Sequence, residues 1–296
     1  MKLPRIILGA NPFHGISYRS RENRNQYRER FSSVDNVLKI INKSFELGVR
    51  GIHVFTTDIQ IEAIVRAKEK LGDELIVVSI MPDLYSAAAR QTGAKANETT
   101  SKLKQLLKNM PALVQAGLTG DLKKIIDKVF NTEMEIVKKT HPNFILLHGF
   151  LVDIACAAGQ KYGLEVFKEK VTQLGAVPGI NSHNYGRTHA MLKEMNIHFP
   201  VVQTSFNARG YMMNPSRQSC IEALNNSNSV THIAKKVLAG GVIPPVEAFK
   251  YIFNELNLPS ASVGIASIEE AEETFSAASQ VLGGDLSQSI EVNESD

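Results

Sequence analysis

Eight short runs of β-branched and apolar residues recur along this chain: RIILGA, GIHVFTT, LIVVSIMPD, FILLHGF, AVPGINSHN, PVVQTSFN, THIAKKVLAG and SASVGIAS. Each is nearly continuous in its apolar character rather than alternating, the pattern of a parallel strand covered on both faces. Helical segments separate them. VDNVLKIINKSFELG places Val37, Leu38, Ile41 and Phe45 on one face, with Asp35 near its start and Gly48 as a stop. GRTHAMLKEMN, NPSRQSCIEALNN and PVEAFKYIFNELN follow the same logic, and in SIEEAEETFSAASQVLGG residues Ser267 and Glu270 form a capping box. An unbroken series of eight strand and eight helix units predicts an α/β fold, the (β/α)8 TIM barrel. With 296 residues the chain suits one such barrel over 1–282. The polar, acidic stretch 283–296 is expected to be a disordered tail.

One connection is longer than a βα crossover needs: about sixty residues separate MPD from FILLHGF. Their lysine-rich, helical pattern supplies the third barrel helix and leaves an expected helical insertion at about 85–120, over the barrel mouth. A net charge of +3 is too small to favour nucleic acid or an anionic membrane as partner. No apolar stretch approaches the length of a membrane span. Cys156 and Cys220 lie far apart and outside any metal or CxxC spacing, which fits a reducing cytoplasm. Basic density is local: Arg21, Arg24 and Arg28 share a helical face, either as solvated surface or as an anion-binding loop.

In such barrels the chemistry sits at the C-terminal ends of the strands. Read there, the sequence presents Asn11 and His14, then Thr56, Thr57 and Asp58, then Ser79 and Asp83, then His148. The later strands add Asn181, Ser182, His183 and Asn184, then Gln203, Ser205 and Asn207, then Lys235 and Lys236, and Ser267. Each has an ordinary structural role open to it: a histidine bonding buried backbone, an Asp capping a helix, an Asn bonding a loop carbonyl. Together they predict a polar mouth for a small-molecule substrate, with His148, His14, Asp58 and His183 as catalytic candidates.

The order of these segments resembles the aldo-keto reductases. LGANPFHG is similar to that family's first strand and GIHVFTTD to the strand that leads into its catalytic aspartate. LLHGF resembles the fourth strand with its active-site histidine, GINSHN the fifth and PVVQTSFN the sixth. AKKVLAGG followed by VGIASIEEAEET resembles the seventh and eighth strands of a divergent bacterial and archaeal branch, so the likeness runs over roughly 1–282. It implies that Asn181, Ser182 and Gln203 grip a nicotinamide carboxamide and that Phe206 stacks on its ring, with Ser267 joining the cofactor set.

The same resemblance shows what is missing. The family pairs Asp, Tyr, Lys and His, the tyrosine protonating the carbonyl oxygen. Here Thr56 stands at the aspartate position, no tyrosine follows in TTDIQIEAI, and VVSIMP offers Ser79 and Ile80 in place of lysine. Only His148 remains. Acidic residues Glu269, Glu270 and Glu272 in the last helix favour NAD over NADP as cofactor. Three readings stay open: a nicotinamide-dependent oxidoreductase with a different proton donor; a lyase, isomerase or hydrolase using the histidines and Asp58, with a divalent metal as alternative cofactor; or a non-catalytic binding protein that kept the scaffold.

Overall fold

All eight expected strands form in the computed structural model, which describes residues 1–83, 86 and 120–292. They are β2 (Ile6–Gly9), β3 (Gly51–Phe55), β4 (Ile76–Met81), β5 (Phe144–Leu147), β6 (Val177–Asn181), β7 (Val201–Ser205), β8 (Thr231–Lys235) and β9 (Ser260–Gly264). Every neighbouring pair is parallel, and β9 returns to β2, so the sheet closes into a barrel. Leu8, Val77, Ile145, Val202 and Ile233 are shielded almost completely, because helices cover the outer face and side chains fill the inner one.

The helices are α1 (Arg21–Arg30), α2 (Val34–Glu46), α3 (Asp58–Leu71), α4 (Gly120–Val137), α5 (Gly149–Ala157), α6 (Tyr162–Gln173), α7 (Tyr185–Glu194), α8 (Arg217–Asn225), α9 (Pro245–Lys250) and α10 (Ile268–Leu282). Serines start several of them. Ser20, Ser33, Ser216 and Ser267 each accept a hydrogen bond from the backbone N–H three residues on. The capping box forms as expected: Glu270 reaches back to the N–H of Ala266 at 2.8 Å while Ser267 caps Glu270. For α2 the cap is Ser33, and Asp35 sits in the first turn.

Two expectations change or fall away. The stretch at 283–296 is not a free tail through residue 292. Ser289–Glu291 (β10) pairs antiparallel with Lys2–Pro4 (β1), directly before the first barrel strand, so this small sheet lies at the barrel's N-terminal end. Its apolar anchors are Leu3, Leu286 and Val292, all buried, which the polar composition of the segment conceals. The insertion at 85–120 lies outside the described residues except at 86 and 120. Among the described residues no helix is long and apolar enough to cross a membrane.

If β10 anchors the barrel floor, Leu286→Ala should cost about 2–4 kcal/mol in equilibrium unfolding, as for other buried leucines. A loss under about 0.5 kcal/mol, typical of surface sites, would show that the segment is not part of the cooperative core.

Candidate active site

Alternation along the strands aims His53, Asn181, Gln203, Lys235 and Ser262 at a shared cavity, and their polar groups bond into one chain. The Lys235 ammonium donates to Asn181 Oδ1. Asn181 Nδ2 donates to Gln203 Oε1 at 3.1 Å, and Gln203 Nε2 donates to His53 Nε2 and Ser262 Oγ, each at 3.1 Å. Burial, and then the charge of Lys235, push His53 down to about 3, so its ring is neutral at pH 7. Burial alone drags Lys235 from 10.5 to about 7 against the pull of Asp153.

Three histidines ring the mouth above this floor. His148 caps α5: its Nδ1 accepts from the Phe150 N–H at 3.3 Å, which leaves the neutral ring's proton on Nε2. Burial, then the charges of His183 and Lys235, hold it at about 4. His183 Nδ1 stands 3.4 Å from Asp153 Oδ2, and Asp153 also accepts from Ser182 Oγ at 3.1 Å. The hydrogen bond of His183 with Asp153 raises the His183 pKa, but Lys235, burial and Lys236 outweigh it and keep it below the usual histidine value. His14 Nε2 meets Asp83 Oδ2 at 3.2 Å. Burial alone would raise Asp83, yet its bonds to His14 and to Ser86 bring it to about 2.

Gly149 makes this arrangement possible. A Cβ there would sit 2.6 Å from the His183 ring and 2.9 Å from the Asn181 carbonyl oxygen. His183 therefore occupies space that any other residue at 149 would fill.

From the floor a cavity of about 630 Å³ extends as a groove between the segment that leads into α1, the loop after β8 and the start of α10. Lys236, held at φ 60°, places its ammonium 3.2 Å from the Tyr18 ring centroid. Burial, then Lys235, take Lys236 down to about 6. Arg19 lies across Gly241, where a Cβ would meet its guanidinium at 2.2 Å, so these two segments touch over the groove. The far end carries Glu270 and Glu273.

The structure gathers some of the predicted residues and separates others. His148, His183, Asn181 and Gln203 line the cavity, and His14 stands beside it through Asp83 and Phe55. Asp58 does not join them: it is the first residue of α3 and exposed. Ser182 is fully buried and braces Asp153 and Thr188. Phe206 is also fully buried, its ring against Tyr185 and His232, because one step beyond the inward Ser205 the chain faces the helices. Ser267 is committed to its cap. In the last helix Glu270 and Glu273 face the groove, whereas Glu272 pairs with Lys43 at 2.6 Å and Glu269 is exposed. The four expected metal ligands do not converge, and among the described residues no three His, Cys, Asp or Glu side chains could hold an ion.

At the missing acid, Thr56 has a structural task. Its Oγ1 donates to Glu133 at 2.7 Å and accepts from the Asp83 N–H at 2.9 Å, which ties β3 to α4 and to the end of β4. Lys235 stands among the strand-end residues read from the sequence but outside its catalytic candidates, whereas His53 and Asp153 escape that reading altogether. The available signal was a titratable side chain at inward parity inside an apolar run, in GIHVF and in THIAKK.

No protein-family model matches the sequence, and no curated protein matches it. Solved structures do. The holo form of an aldo-keto reductase from Bacillus halodurans superposes with a TM-score of 0.58 at 10% identity, over 95% of this chain and 92% of that one. An aldo-keto reductase enzyme from a Medee basin deep-sea metagenome library gives 0.54 at 14%, over 100% and 96%. An aldo/keto reductase from Brucella melitensis gives 0.53 at 11%, over 96% and 95%. At such identities the likeness establishes the fold: the chain is an aldo-keto-reductase-like (β/α)8 barrel.

Two measurements check this geometry. Gly149→Ala should lower stability by about 1–3 kcal/mol and move the His183 ring resonances, while Gly163→Ala, with open space around it, should do neither. Between about 7 and 10.5 the unfolded chain binds a proton at Lys235 that the folded chain does not, so this residue makes stability rise with pH across that window. Lys235→Met should accordingly stabilise the protein at pH 6 by more than about 1.4 kcal/mol, one pKa unit, and the gain should shrink toward pH 10. A gain independent of pH would contradict the buried amine.

Proposed function

We propose that the protein is an oxidoreductase of small carbonyl or alcohol substrates, with a nicotinamide dinucleotide in the groove and NAD preferred to NADP. The observation that carries this reading is the continuity of the groove, from the amides of Asn181 and Gln203 to the carboxylates of Glu270 and Glu273. Two amides suit a carboxamide, and two carboxylates suit ribose hydroxyls while repelling a 2′-phosphate. Ser182 and Phe206 are turned away, so the fit rests on Asn181 and Gln203.

A bound nicotinamide supplies hydride chemistry; the chain must supply the proton. His148 is unsuited to donate it as an imidazolium, being neutral at pH 7. Lys235 is suited, because burial brings its ammonium close to neutral pH. His148 then offers its Nε2–H to the carbonyl oxygen, and Asp153 orients His183 beside it. A second reading, a lyase or isomerase working by proton transfer alone, draws on the two histidine–carboxylate pairs.

Titration of the purified protein should show micromolar NADH binding and at least tenfold weaker NADPH binding, with Glu273→Gln narrowing the gap. With a panel of small aldehydes and ketones, Lys235→Met should lower kcat by about 100-fold or more. Absence of binding by either dinucleotide would dismiss the oxidoreductase and leave the proton-transfer enzyme.

A further inference from the structure

The groove is electrically lopsided. Its inner part holds Lys235 and Lys236, with neutral His53 and His148 nearby, and its carboxylates, Glu270 and Glu273, stand at the α10 end. Among the described residues neither lysine has a carboxylate within salt-bridge distance: Lys235 bonds an amide oxygen and Lys236 lies over the Tyr18 ring. Asp83 is paired with His14, and Asp153 with His183. Two amines removed from water with no carboxylate in contact are costly for a fold to maintain, unless a ligand brings one.

Resting on the oxidoreductase reading, we infer that the substrate carries an anionic group beside its carbonyl, as a 2-oxo acid or its 2-hydroxy counterpart does. Its carboxylate seats against Lys236, whose amine takes up a proton from solvent as the anion binds, while its carbonyl faces Lys235. The two lysines are consecutive but not equivalent. Lys235 ends β8 and points inward, whereas the left-handed backbone at Lys236 turns the next side chain to the Tyr18 wall of the same cavity. Both amines thus line one cavity, Lys235 at the end of β8 and Lys236 at the Tyr18 wall. The acidic far end would reject such an anion, so the polarity of the groove also sets which way the ligand lies.

The test is calorimetric titration of nucleotide-free protein with pyruvate, phenylpyruvate and 2-oxoglutarate, and with hydroxyacetone as a neutral counterpart. At least one oxo acid should bind at least tenfold more tightly than hydroxyacetone. Lys236→Met should erase that ratio, and Lys236→Arg should restore it to within about threefold. Equal binding of acids and hydroxyacetone, or no binding of any acid, would overturn the inference. So would a Lys236→Met variant that loses NADH affinity and keeps its oxo-acid affinity, because the charge would then serve the dinucleotide's phosphates. These titrations contain no nucleotide, so oxo-acid binding without NADH binding would refute the oxidoreductase and leave the anion site standing.

Discussion

An amine inside a β-barrel must be satisfied without water, and the lumen is organised around that requirement. Lys235 passes its hydrogen bond to Asn181, Asn181 to Gln203, and Gln203 to His53 and Ser262, so one cation orders polar side chains from five strands. Removing a middle member would leave donors and acceptors stranded in a dry interior. The same cation depresses His53, His148 and His183. The protonation pattern of the mouth therefore follows from burial first and from the position of this side chain second.

Thr56 stands where the resemblance expects an aspartate and ties neighbouring elements together, and the buried amine of the lumen stands on β8, on the opposite side of the barrel from β4. Since all strand ends converge on one space, a functional group can change strands and still reach the same point. The buried Val, Ile and Leu that pack strands against helices are a separate set of side chains from these polar ones.

Much of this was legible in the residues, and the misses have physical causes. The eight strands were readable because a parallel strand buried on both faces leaves an apolar run that little else produces. His148, His183, Asn181 and Gln203 were readable as polar endings of those runs. Phe206 and Ser182 misled because one residue of parity separates the lumen from the helical layer, and motif resemblance does not fix parity. Asp58 misled because a helix start and a strand end are adjacent in sequence but face different ways. β10 was hidden because a short edge segment is held mainly by backbone pairing, with few apolar side chains to announce it.

The β1–β10 pair has a kinetic consequence. Lys2–Pro4 finds its partner only at Ser289–Glu291, and β2 likewise needs β9. While the chain is being synthesised, β1 therefore emerges without its partner and β2 with only β3 of its two neighbours, leaving one sheet edge open until β9 has left the ribosome. The barrel cannot close before β9 is available, and the chain of hydrogen bonds in the lumen, which ends on Ser262 of β9, cannot be complete before then.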